Sequence, residues 1–92
     1  MSNIPDTKAP GPEWANAWSS EDLGRHIAAL RQAKGLRQED FAAQLGVSRT
    51  TLSALENGGS VSLRLATKAI SWLGSRMVIL PKDAQVSVKL RE

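Results

Sequence analysis

The 92-residue sequence has no cysteine, which excludes disulfides, thiolate metal sites and cysteine nucleophiles and suits a reducing cytoplasm. Its aromatics are three Trp and one Phe, too few for a large aromatic core. An apolar fraction of 41% still supports a globular fold, so a compact bundle of Ala and Leu is expected. Apolar runs such as Met77–Leu80 are far too short to span a bilayer, and the N-terminal MSNIPDTKAPGPEW lacks the basic and apolar blocks of a signal peptide. A soluble, cytoplasmic chain with no membrane contact is expected.

Catalytic chemistry is also scarce. The one histidine, His26, sits mid-helix without a carboxylate partner and reads as a solvated or half-buried side chain. Glu21-Asp22 and Glu39-Asp40 are adjacent pairs at helix starts, where the dipole favours them. Neighbours on a helix point apart, so neither pair makes a two-carboxylate site. Gly58-Gly59 follows a helix rather than leading into one, unlike a phosphate-binding loop. No enzyme, metal site or cofactor is expected.

What is present is a modest excess of positive charge. The net charge is +3, with residues 1–20 slightly acidic and the rest basic. That balance points weakly towards an anionic partner. At this length the chain has room for one core. Residues 1–13 hold three prolines and little apolar content, and read as a flexible N-terminal arm. Trp14 and Trp18 are spaced by four, so one helical turn would align both rings, either over an edge of the core or as an anchor for a partner.

Four helices follow. The first starts near Ser20, capped by Ser19 or Ser20, carries Leu23, Ile27 and Leu30 on one stripe, and ends at Gly35. The second runs from about Gln38 to Leu45, with Phe41, Ala42 and Leu45 inward. The third covers Ser48 to Glu56, with Ser48 as cap and Leu52 and Leu55 as a narrow buried stripe. The fourth spans about Ser62 to Leu73 and has two apolar stripes. One comprises Leu63, Ala66, Ile70 and Leu73, the other Leu65, Ala69 and Trp72, so the helix needs its own core on one side and a second subunit on the other. After Gly74 the period changes. Met77, Val78, Ile79 and Leu80 read as a strand, residues 81–84 as a turn, and Val86, Val88 and Leu90 as an alternating strand face. An isolated hairpin is marginal in water, so this one is expected to pair with a symmetry mate. The division is then arm 1–13, helical domain 14–75 and dimerising hairpin 76–92.

The stretch from Gln38 to Leu55 has the spacing of a helix-turn-helix. Two short helices that cross steeply need a small residue where they touch, supplied by Ala42. The turn needs a residue that tolerates positive φ, supplied by Gly46. The second helix must bury its back and free its front, and only Leu52 and Leu55 are large and apolar there. Small, Gly, apolar and apolar at offsets of four, eight, fourteen and seventeen from Gln38 form a far stronger signal together than any one alone.

LRQAKGLRQEDFAAQLGVSRTTLSALENG resembles the helix-turn-helix core of the lambdoid repressor and Cro family, the Xre family, over roughly Leu23 to Leu73. The resemblance implies a mainly α, lambda-repressor-like DNA-binding domain with Ser48, Arg49, Thr50 and Ser53 reaching base edges. Arg49 would be bidentate to a guanine and the Thr50 methyl would pack on thymine. Gln38, Thr51 and Asn57 match phosphate-contacting positions, and Arg31 and Glu56 match an ion pair between the first and third helices. Two residues depart from the pattern. Arg37 stands where Thr or Ser usually caps the second helix, and reads as an extra phosphate contact. Ala54 replaces a long polar side chain, which thins base reading beyond Thr50.

A repressor-like domain followed directly by a short strand, here SRMVIL, further resembles the HipB-type antitoxins. That resemblance implies a homodimer with strands paired across it, on double-stranded DNA with an inverted-repeat operator; the apolar pattern places Leu65, Ala69, Trp72, Met77, Val78, Ile79 and Leu80 at its interface. The same resemblance also implies repression of its own operon and a HipA-type kinase toxin as partner. The alternatives are a solitary Xre-type regulator and a protein-interaction module that does not bind DNA.

Overall fold

The structure, a computed structural model, describes residues 14–86. Four helices form there: α1 (Ser20–Ala33), α2 (Gln38–Leu45), α3 (Arg49–Glu56) and α4 (Leu63–Trp72). Their starts follow local chemistry. Ser19 accepts from the Asp22 N–H, Ser48 from Thr51 and Ser62 from Leu65. Each bond satisfies a donor that the first helical turn leaves open, contributing about 1 kcal/mol. Ser48 caps the third helix, as expected, with the first helical residue at Arg49. The start of α2 differs, since Arg37 is extended and makes no side-chain cap bond.

The turn between α2 and α3 closes on Gly46, at φ 77°. The Gly46 N–H donates to the Ala43 carbonyl and the Val47 N–H to the Ala42 carbonyl. An L side chain is strained in this left-handed conformation, so glycine lets the chain reverse within three residues. α3 packs against both α1 and α2, and α2 against α4. The core draws on all four helices: Ile27, then Phe41, Ala42 and Leu45, then Leu52 and Leu55, then Leu65, Ala66, Ala69, Ile70 and Leu73. Ile27, Phe41 and Leu52 are fully enclosed, and burying side chains of this size contributes roughly 1.5–3 kcal/mol each.

α1 and α3 meet at backbone distance. Gly24 is buried against the end of α3, where an added Cβ would sit 2.6 Å from the Glu56 carbonyl oxygen. A hydrogen fits and a methyl does not. At the start of α1 the Ser20 hydroxyl donates to the Gly58 carbonyl at 3.1 Å. Between α4 and α2 the Lys68 ammonium donates to the Leu45 carbonyl at 3.0 Å. That bond ties α4 to the C-terminus of α2, where a cation suits the helix dipole.

Two expectations are corrected here, and the expected C-terminal strand is not shown. First, Leu65 and Ala69 do not face a second subunit, for they are buried in the chain's own core. Positions 65, 66, 69, 70 and 73 make one broad buried stripe. Leu63 at the first turn and Trp72 at the last overhang it and stay 72% and 54% exposed. No strand forms among the described residues. Met77–Leu80 runs without a ladder partner, and a strand exists only through one. The turn that follows does form, closed by Ala84 N–H to the Pro81 carbonyl. Second, Trp14 and Trp18 lie on an irregular segment, not a helical turn, and at 46% and 65% exposure they do not cover the core. The expected N-terminal arm and the second half of the hairpin, from residue 87, lie outside the described residues. No helix among the described residues is long and apolar enough to cross a membrane.

Candidate nucleic-acid interface

α3 has two chemically distinct sides because Leu52 and Leu55 are three residues apart and both buried. Apart from Glu56, which is buried at the C-terminal end, the rest of the helix is turned outward. Arg49 and Thr50 are exposed, while Thr51, Ser53 and Ala54 are half-buried. Ser48 is exposed beside them, and its Oγ lies 3.0 Å from Thr51 Oγ1 as well as capping the Thr51 N–H. At the other end the Asn57 amide nitrogen donates to the Ser53 carbonyl at 2.8 Å and to its Oγ at 3.3 Å. Gln38, Arg49, Thr50, Ser53, Ala54 and Asn57 together line an open cleft on this side of the molecule. Five of these six were candidate contact residues on sequence grounds. Ala54, expected to be silent, is part of the wall.

Behind the cleft lies a buried ion pair. Arg31 Nε donates to Glu56 Oε2 at 2.6 Å and Nη2 to Oε1 at 3.1 Å. A third donor, Arg31 Nη1, reaches the Leu36 carbonyl at 2.6 Å. The two side chains are 10% and 5% exposed. Such a pair must be held with good geometry, because either charge alone at this depth is costly. It pins α1, the loop before α2 and the end of α3 to one another, which is the structural role the sequence suggested.

Gln38 joins this pair to the surface. Its Nε2 donates to Glu56 Oε1 at 2.9 Å, and its Oε1 accepts from Arg49 Nε at 3.2 Å. Both heteroatoms of the amide are therefore engaged inside the protein. Sequence reasoning did not foresee this, since eleven residues separate Gln38 from Arg49 and only the folded turn brings them together. Arg37 is likewise occupied. Its Nε lies 2.9 Å from Asp40 Oδ2, and the hydrogen bond and charge of Asp40, with a further contribution from Glu39, hold its guanidinium even more firmly protonated. This exposed pair masks part of the positive charge expected at the start of α2, but it leaves the first N–H groups of that helix without a side-chain cap. Among the described residues no group of three or more His, Asp or Glu stands ready to hold a metal.

Two short helices joined by a glycine turn, the second with its back in the core and its front free, define a helix-turn-helix DNA-binding domain. The helix-turn-helix family model matches residues 27–77, more than half of the chain, and the chain belongs to that family. No curated protein matches the sequence. Among solved structures, the fold is similar to that of a HipB variant in its O2 20mer complex, with a TM-score of 0.69 and 22% identity over 77% of this chain and 100% of that one. The chain is a DNA-binding regulator in class, and this family is regulatory rather than catalytic.

Proposed function

We propose that the chain is a sequence-specific repressor that binds double-stranded DNA as a homodimer at an inverted-repeat operator. One observation carries the reading: the free side of α3 presents Ser48, Arg49, Thr50 and Ser53 beside the uncapped start of α2. Inserted into a major groove, those four side chains meet base edges. The first backbone N–H groups of α2, with Arg37, Thr51 and Asn57 around them, face the flanking phosphates. The side chain of Gln38 is less free for that task than the sequence implied. Repression follows from occupying the promoter, with no chemistry required.

A second subunit is supported by the apolar surface that remains uncovered. Trp72, Met77, Val78, Ile79 and Leu80 are all about half exposed or more, Ile79 almost completely at 97%. A symmetric partner offering the same segment would satisfy both the apolar side chains and the open backbone groups of residues 77–80. It would also set two copies of α3 about 34 Å apart, one helical turn of DNA. The HipB-like fold extends this reading to an antitoxin that also neutralises a HipA-type kinase toxin, against the alternative of a solitary regulator.

Selection of duplexes from a random pool by the full chain tests the proposal. Enriched sequences should be inverted repeats with half-sites about one turn apart, and binding should weaken steeply as salt rises. Single half-sites, or no enrichment at all, would contradict it. Co-purification with the kinase-like product of a neighbouring gene would separate antitoxin from solitary regulator.

A further inference from the structure

We infer that Asn57 and Gly58 form a self-modification site at the edge of the DNA-facing cleft: Asn57 loses its side-chain nitrogen as ammonia, and the carboxylate left behind removes the chain from DNA. The chemistry stands on the chain alone, while its consequence rests on the proposed reading of DNA by α3.

Of the asparagines at positions 3, 16 and 57, only Asn57 is followed by glycine. A backbone nitrogen attacks the preceding side-chain amide most readily when no Cβ crowds its approach. Once water or hydroxide takes the Gly58 N–H proton, that nitrogen bonds to Asn57 Cγ. The Cγ–Nδ2 bond breaks, and Nδ2 leaves as ammonia with a proton from water. Water then opens the resulting cyclic imide at either of its two carbonyls. Opening at Cγ gives aspartate. Opening at the main-chain carbonyl gives isoaspartate, with the chain rerouted through Cγ. No oxidant or enzyme is needed, since an amide and water become a carboxylate and ammonium.

The fold sets the rate. The Gly58 N–H donates to the Leu55 carbonyl at 3.1 Å and the Gly59 N–H to the Ala54 carbonyl at 2.7 Å, the paired closure of a helix that ends on a left-handed glycine. The Asn57 amide is held as well, by the Ser53 carbonyl at 2.8 Å. At ψ 7° the Gly58 nitrogen eclipses the Asn57 nitrogen rather than its Cβ, so the ring closes only after a large rotation about Cα–C. That rotation breaks both closing bonds, and attack waits for the last turn of α3 to open. Helix ends open at the low end of a domain's free energies, and Asn57 is exposed to the water the reaction needs.

The product undoes what the amide supports. A carboxylate oxygen in place of the NH2 faces the Ser53 carbonyl, acceptor against acceptor. Its charge stands at the C-terminus of α3, against the helix dipole, and on the wall shared with Gln38 and Arg49, where phosphates approach. Isoaspartate also adds a backbone carbon ahead of Gly58, which is wedged against α1: a Cβ there would lie 2.6 Å from Glu21 Cα. The chain thus carries an irreversible timer on DNA binding, which bound DNA slows by covering the cleft.

The full chain is incubated in heavy-oxygen water at mildly alkaline pH, alone, on a duplex it selects, and unfolded in urea, and each sample is mapped by peptide mass. In urea, acid should form at position 57 ahead of positions 3 and 16. In the folded chain it should form about 5- to 30-fold more slowly, and more slowly again on the duplex. Aged chains passed over the duplex should then separate, with position 57 intact in the bound fraction and acidic in the unbound. That split reflects an affinity loss of about 10-fold or more from a like charge set against the phosphates. Acid at position 57 that forms no sooner than at the other two in urea, or equally fast in the folded chain, overturns the inference. So does an equal share of it in both fractions. A fresh chain that selects no duplex faults the DNA reading, and the mapping of the free and unfolded chain still decides the chemistry.

Discussion

Replacing Gly24 by Ala sets two physical effects against each other. In the interior of an exposed helix the change would stabilise by about 1 kcal/mol, because alanine is the better helix former. Here Gly24 is buried, and the new methyl would lie 2.6 Å from the Glu56 carbonyl oxygen and 2.7 Å from the carbonyl carbon. Those are backbone atoms at the end of α3 and cannot rotate away. Relief requires α1 to move off α3, and overpacking of this kind typically costs about 1–3 kcal/mol. With three backbone atoms closer than 3.0 Å to the new methyl, the steric cost falls at the upper end of that range, and Gly24→Ala should lose about 2 kcal/mol after the propensity gain is subtracted. In a domain this small the melting temperature falls by about 4–8 °C per kcal/mol. Urea denaturation, with the exposed α1 variant Gln32→Ala as control, reads the change. The same displacement strains the Arg31–Glu56 pair about two turns further along α1, so DNA affinity should fall with stability. A Gly24→Ala chain as stable as the parent, or more so, would refute the close approach of α1 and α3.

The sites where sequence and structure part company share a cause. Helix starts were legible because a serine cap is decided within four residues, as at Ser19 and Ser48. The two sides of α3 were legible because Leu52 and Leu55 fix its buried face by spacing alone. On α4, periodicity placed Leu63 in the core and Leu65 outside. The outcome depends on where the helix begins relative to its neighbours, and Leu63 overhangs the end. Gly24 carried a signal that went unused: a glycine within a helix lowers stability unless something needs the space. The Gln38–Arg49 contact had no local signal, since it exists only once the turn at Gly46 has folded. Met77–Leu80 has the composition of a strand but no partner within the described chain, and composition cannot supply one.

Further substitutions probe other joints. Lys68→Met keeps the stem of the side chain and removes its bond to the Leu45 carbonyl. It should cost about 0.5–1.5 kcal/mol in urea denaturation. Arg37→Ser installs the missing cap on α2, so the urea midpoint should rise while DNA binding becomes less dependent on salt. Removing residues 76–92 should weaken self-association in sedimentation equilibrium, and equally tight dimers would exclude that segment from the interface.

The central claim is that the free side of α3 meets the DNA. Titrating an isotope-labelled chain with an enriched duplex, and following every backbone amide by NMR, tests it most directly. The account predicts the largest shifts at Ser48, Arg49, Thr50 and Ser53 and at the start of α2 near Gln38. Shifts gathered instead around Trp72 and Met77–Leu80, with α3 unmoved, would contradict it.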